Sequence, residues 1–235
     1  MISKNIFFKN FLNTKKNKKI KEYFKELLKK EPLFFNTLKP NYNYSYSKNL
    51  LLKFKKFSNL RIIGMGGSIL GVEAIHDFLK KKVKKKITFV NNLKSNADYF
   101  QDKNINLNLI ISKSGNTLET IVNANTLIKK KDSNIVLTEN KDSYLTNLAS
   151  KLKVEIFEHK NYIGGRYSVL SEVGMLPAEL MNLNESKFKQ FNNLIKNKMF
   201  VNNLVNNVTA TLNLIKSGKF TSIILNYDEQ SENLF

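Results

Sequence analysis

Three short segments bring glycine together with hydroxyls or a cation: Gly64-Met65-Gly66-Gly67-Ser68, Ser112-Lys113-Ser114-Gly115-Asn116-Thr117 and Tyr162-Ile163-Gly164-Gly165-Arg166-Tyr167-Ser168. The second has the composition of a phosphate cradle. The hydroxyls of Ser112, Ser114 and Thr117 and the amides of a following helix can donate to anionic oxygens, while Lys113 and the helix macrodipole supply positive charge. Ser114 or Thr117 alone would serve equally as an ordinary N-cap, helped by Glu119 or Thr120; the convergence of several donors favours the anion. The third segment places Arg166 directly after a double glycine, in a chain whose 39 basic residues include only one other arginine, Arg61. Arginine here argues for a planar fork or a permanent charge, set either on a ligand or against a buried carboxylate that holds the loop.

Other chemistries find less support. The first segment invites a dinucleotide reading, but the third glycine of G-x-G-x-x-G falls at Ile69, and the next strand ends in Asn91-Asn92 where an acidic ribose ligand is expected. There is no G-x-x-x-x-G-K-[ST] loop, so neither a nicotinamide cofactor nor triphosphate chemistry of that class is expected. His76 and His159 stand alone in sequence, which predicts structural histidines and no metal cluster. With no cysteine the chain has neither disulfide framework nor thiolate site, which fits a reducing cytoplasm. No apolar run approaches the roughly 20 residues a membrane span needs. The net charge of +20 suggests nucleic acid at first sight. The excess is nearly all lysine, however, in runs such as Lys80–Lys82 and Lys84–Lys86, and reads as a solvated surface shaped by compositional bias.

The elements that must position these segments follow from periodicity. Residues 1–50 are lysine-rich and hold a helix with Ile20, Tyr23, Phe24, Leu27 and Leu28 at helical spacing, ending before Pro32. Short apolar runs then alternate with helical stretches, the pattern of an α/β fold: a five-stranded parallel sheet flanked by helices. The strands are expected at Leu60–Gly64, Ile87–Val90, Leu107–Ser112, Asn134–Thr138 and Val154–Phe157, with crossover helices near 69–82, 95–101, 117–130 and 142–151. Eight of the nine glycines then lie after the first, third and fifth strands, at the carboxyl edge where open parallel sheets bind ligands. Helices near 185–198 and 200–217 follow, and Phe220–Asn226 reads as a sixth strand opening a second α/β unit. The division expected is an N-terminal helical segment (1–50), a first α/β domain (51–183), connecting helices (184–218) and the start of a truncated second domain (219–235).

Taken in order, Gly64-Met-Gly-Gly-Ser-Ile-Leu-Gly, Ser112-Lys-Ser-Gly-Asn-Thr-Leu-Glu-Thr and Gly164-Gly-Arg-Tyr-Ser-Val-Leu-Ser-Glu-Val-Gly resemble the phosphoglucose isomerase family, over about residues 58–230. The second motif is shared by many sugar-isomerase (SIS) domains, and the third is more specific. The resemblance implies a pair of SIS domains with a three-layer, flavodoxin-like fold. It implies reversible conversion of glucose 6-phosphate and fructose 6-phosphate in glycolysis and gluconeogenesis, without metal or organic cofactor, in a cytoplasmic homodimer; from the composition, no nucleic-acid or membrane partner is expected. Position by position, it makes Ser112, Lys113, Ser114 and Thr117 phosphate ligands, sets Gly67 and Ser68 along the sugar, and makes Arg166 the catalytic cation. Gly115-Asn116 departs from the bulkier residues of many relatives. In the family the acid and base are a glutamate, a histidine and a lysine downstream of the point matching Phe235, so neither Glu119 nor His159 is assigned that work, and the chain alone is expected to be inactive. A non-catalytic or decayed sugar-phosphate sensor is the alternative; residues 1–50 offer a single lysine-rich helix rather than the helix pair such a regulator would need.

Overall fold

The computed structural model describes residues 18–93, 107–129 and 131–234. Among these the α-helices are Lys18–Lys30 (α1), Lys48–Lys55 (α2), Leu70–Leu79 (α3), Leu118–Leu127 (α4), Tyr144–Leu152 (α5), Glu172–Leu180 (α6), Phe191–Lys196 (α7) and Lys198–Lys216 (α8). The strands are Asn59–Ile63 (β1), Lys86–Val90 (β2), Leu107–Ile111 (β3), Ser133–Thr138 (β4) and Glu155–Glu158 (β5). Each lies within about one residue of its expected position, and all pair in parallel in the order β2-β1-β3-β4-β5. The helix expected at 95–101 lies outside the described residues.

β1 and β3 are buried along their whole length, as a parallel sheet covered on both faces requires. Ile63, Val90, Ile110 and Val136 pack under Ala124 and Leu127 of α4 and Leu145 and Ala149 of α5. Alternate residues Ile62, Leu109 and Ile135 face the other way and are equally inaccessible. One polar row crosses this interior. Arg61, Asn108 and Asn134 are register partners on adjacent strands. Arg61 Nη1 donates to Asn108 Oδ1 and to the Leu127 carbonyl, each at 3.1 Å. Asn108 Nδ2 passes the chain on to Asn134 Oδ1 at 2.8 Å and Asp132 Oδ2 at 3.3 Å.

The described residues divide into two compact units, 43–185 with 226–234, and 18–42 with 186–225. The first contains the sheet. In the second, Ile20, Phe24 and Leu27 of α1 and Leu204, Val205 and Leu212 of α8 line an apolar groove. There the stretch expected as one helix over 185–198 breaks into a 3-10 turn, Glu185–Phe188, and the short α7.

Two findings correct the sequence expectations. α6 is a helix that the sequence pattern does not predict; all nine of its residues are buried, and it packs against α2 and α3. Its Gly174, like Gly71 of α3, lies against Val169, so these two glycines serve helix packing rather than a ligand edge. Residues 220–226 form no strand. A strand needs a neighbour to complete its ladder, and no described strand pairs with this run, whose apolar side chains stand in solvent: Phe220 is 79% and Ile223 81% exposed. The chain then closes a 3-10 turn, Glu229–Leu234, that packs on α3, with Asn233 Nδ2 donating to Asp77 Oδ2.

Candidate functional site

The three segments leave the carboxyl ends of β1, β3 and β5, and the reversal in strand order falls between β1 and β3. In open α/β sheets that crevice is where ligands sit.

Ser112 extends the β3 ladder by one residue, its amide donating to the Leu137 carbonyl at 3.1 Å. Its hydroxyl is buried, 2.9 Å from Thr117 Oγ1, and accepts from the Gly115 amide at 3.2 Å. The loop therefore curls back on itself and sets two hydroxyls at the start of α4. Thr117 is the N-cap residue of α4 but makes no side-chain cap bond. The ordinary-cap reading is thus not realised in this geometry, and among the described residues no side chain accepts from the first amides of α4. Ser114 is exposed and accepts from the Asn116 amide at 3.2 Å. The turn depends on Gly115, which has φ +71; a Cβ there would lie 2.2 Å from Ser143 Oγ. Asn116 and Gly115 then tie the loop to the start of α5: Tyr144 N donates to Asn116 Oδ1 at 2.8 Å and Leu145 N to the Gly115 carbonyl at 3.1 Å. This role for Asn116 was not legible in the motif, since its partner lies on another helix.

The first and third segments form a pair of 3-10 turns, Gly66–Ser68 and Gly165–Tyr167, in backbone contact. A Cβ on Gly67 would fall 2.7 Å from Gly165 Cα. The buried Ser168 hydroxyl fastens the seam, with oxygens of both turns in reach: the Gly165 carbonyl at 2.7 Å and the Gly67 carbonyl at 3.1 Å. Ser68 is half-buried beside this seam, and Arg166 is exposed upon it. Among the described residues, none forms an ion pair or hydrogen bond with the Arg166 side chain, so no buried carboxylate holds it. Ser168 was missed as a fastener because its partners are carbonyl oxygens, which no side-chain pattern announces.

Lys113 lies on the phosphate-type loop, but its ammonium reaches away to the third segment. It donates to the carbonyls of Asn161 at 2.7 Å and Ile163 at 3.0 Å, with Glu139 Oε1 at 3.6 Å. The hydrogen bond from Lys141 holds the Glu139 carboxyl below its usual range, and Lys113 adds to the effect. His159 is buried with Nδ1 3.2 Å from the Lys160 carbonyl, and burial above all pushes its pKa down, so it is neutral near pH 7. Glu139, Lys141 and His159 line a cavity of about 400 Å³ at the ends of β4 and β5, which includes Tyr162 and Lys160 but none of Ser112, Lys113, Ser114 and Thr117. Its two lysines, Lys141 and Lys160, are taken up in ion pairs with Glu139 and Glu172, so the cradle is the better candidate for an anion. Among the described residues no group of three or more His, Cys, Asp or Glu is placed to hold a metal ion, and no helix is long and apolar enough to cross a membrane.

Comparison with known proteins adds an independent line. The family model described as phosphoglucose isomerase matches residues 50–232. A glucose-6-phosphate isomerase of Methanocaldococcus jannaschii is 34% identical over 203 residues, 78% of this chain and 50% of that protein. A probable glucose-6-phosphate isomerase of Methanococcus maripaludis is 29% identical over 230 residues, 87% of this chain and 52% of that protein. The chain thus spans about half the length of these relatives. A hypothetical protein from Thermus thermophilus shares the fold, with TM-score 0.64 and 19% identity over 85% of this chain and 52% of that one. With a family match over more than half its length, and with all three glycine-bearing motifs gathered at one edge of its sheet, the chain belongs to the phosphoglucose isomerase family.

Proposed function

We propose that this chain supplies the phosphate and sugar site for reversible isomerisation of glucose 6-phosphate and fructose 6-phosphate. The observation that carries the proposal is the α4 amino terminus, uncapped by any side chain among the described residues and flanked by the Ser112 and Thr117 hydroxyls. Phosphate oxygens satisfy such amides and hydroxyls together, and the helix dipole favours the charge. Ser114 and Lys113 belong to the same loop, while Gly67 and Ser68 line the sugar. Aldose–ketose exchange passes through an enediolate, and Arg166, exposed and unpaired among the described residues, is the fixed cation for its developing charge. No residue of the chain is assigned to proton transfer: His159 is buried, and Glu139 is held by lysines. The family resemblance supports a homodimeric working form, which light scattering tests.

Calorimetric titration with glucose 6-phosphate, inorganic phosphate and glucose tests the site. The phosphorylated sugar should bind best, inorganic phosphate more weakly and glucose least. Joint Ser112→Ala and Thr117→Ala should weaken both anions by about tenfold or more, the worth of one or two charge-assisted hydrogen bonds. Glucose binding as tightly as its phosphate would sink the reading.

A further inference from the structure

The ammonium of Lys113 is the one cation of the phosphate-type loop, yet its hydrogen bonds and its ion pair all lead outside that loop. Two of its three donors meet the carbonyls of Asn161 and Ile163, and Glu139 occupies the remaining side at 3.6 Å. The Ile163 carbonyl stands immediately before Gly164, and that of Asn161 two residues earlier, at the entrance to the turn that carries Arg166. We propose that Lys113 is a positioning residue: its ammonium braces the Arg166 turn against the phosphate loop and serves the sugar phosphate through that brace, not by contact with the phosphate group. The inference rests on the reading of the loops given above and specifies how they cooperate.

Three features favour the brace. An anion at the α4 amino terminus already has the hydroxyls and open amides of that loop as donors, so it does not need the ammonium. Moving the ammonium to the phosphate would strip the Asn161 and Ile163 carbonyls of a charged donor at the same moment. The turn also needs a second attachment, because Ser168 fastens only its far end, from Gly165 to Gly67. With Lys113 at the near end, residues 161–168 are pinned on both sides, and Arg166 projects from a fixed base.

Amide exchange combined with titration decides the matter. In Lys113→Met, the Ile163 and Tyr167 amides, which donate to Lys160 and Gly164, should exchange about tenfold faster, while the Leu145 amide, which holds the phosphate loop, stays protected. Inorganic phosphate should bind within about threefold of the parent chain, and the additional affinity of glucose 6-phosphate over inorganic phosphate should shrink by about tenfold. Lys113→Arg, which keeps a cation with several donors, should restore both protection and preference. A fall of about tenfold or more in inorganic-phosphate affinity, or unchanged exchange at Ile163, overturns the proposal. The unmutated chain gives a check that needs no variant: saturating inorganic phosphate should leave Ile163 exchange unchanged or slower. Faster exchange would show the ammonium leaving its carbonyls, which also overturns it. If inorganic phosphate binds the unmutated chain nowhere, the cradle reading fails, while the exchange comparison still judges the brace.

Discussion

The two arginines mark two ways of using the same side chain in one sheet. Arg61 stands in mid-strand, 4% exposed, and spends its fork on Asn108 and the Leu127 carbonyl in a row that continues to Asn134. Arg166 stands beyond the carboxyl end, exposed and unpaired among the described residues. The helix starts repeat the contrast. At α5 the Ser143 side chain accepts from the Thr146 amide while Thr146 returns a bond to the Ser143 amide, a closed capping box; at α4 the corresponding amides stay open. Where the chain needs only stability, its polar groups close on one another. Where they stay open beside a crevice, they are available to a ligand.

The largest expected effect sets the arginines against each other. Arg61→Ala leaves Asn108 and a carbonyl buried without their donor and should cost about 3–5 kcal/mol in urea unfolding. Arg166→Ala should stay within about 0.5 kcal/mol of the parent, as exposed substitutions do. Equal losses in the two variants would erase the distinction. A smaller effect separates the helix starts: Ser143→Ala should cost about 1 kcal/mol, the worth of a cap, while Thr117→Ala should cost less than half of that and act on phosphate affinity instead. A larger stability loss at Thr117 would make it an ordinary structural residue.

The smallest effect is a pH dependence at the carboxyl edge. Burial lowers the His159 pKa in the folded chain relative to its ordinary value of 6.5. Between those two values the unfolded chain binds the proton more readily, so stability is retained above pH 6.5 and declines as pH falls below it. Melting temperatures from pH 7.5 to 5 should show that decline, and His159→Asn should flatten it. A slope that persists unchanged in the variant would place its origin in another group.

The sheet was legible because each strand is a short apolar run with glycine or polar residues after it, a local signal that parallel pairing reinforces. α6 was not, since Glu172, Glu179 and Pro177 argue against a buried helix when read locally; only the surrounding structure overrides them. In that helix Glu172 accepts from the Ser45 amide at 3.1 Å, a partner 127 residues away. Phe220–Asn226 erred in the opposite direction, having the composition of a strand without a described neighbour to pair with. At the site, the motifs identified the loops but not the errands of individual side chains. Lys113 was expected among the phosphate ligands with the rest of its loop, whereas its ammonium reaches the carbonyls of Asn161 and Ile163, beyond the range of any local pattern.

The seam between Gly67 and Gly165 has a consequence for how this surface can change over generations. At most tight contacts an enlarged residue can be accommodated by shrinking its neighbour, so two substitutions made in either order open a route through sequence space. Here the neighbour is already the smallest residue available, and a methyl group on Gly67 would meet backbone 2.7 Å away rather than a side chain that could be trimmed. A second-site suppressor at the seam itself is therefore closed off. Variation in this surface must enter through Met65, Ser68 or Tyr167, which flank the contact, and a library built to alter it should leave the glycine pair fixed and spend its diversity there.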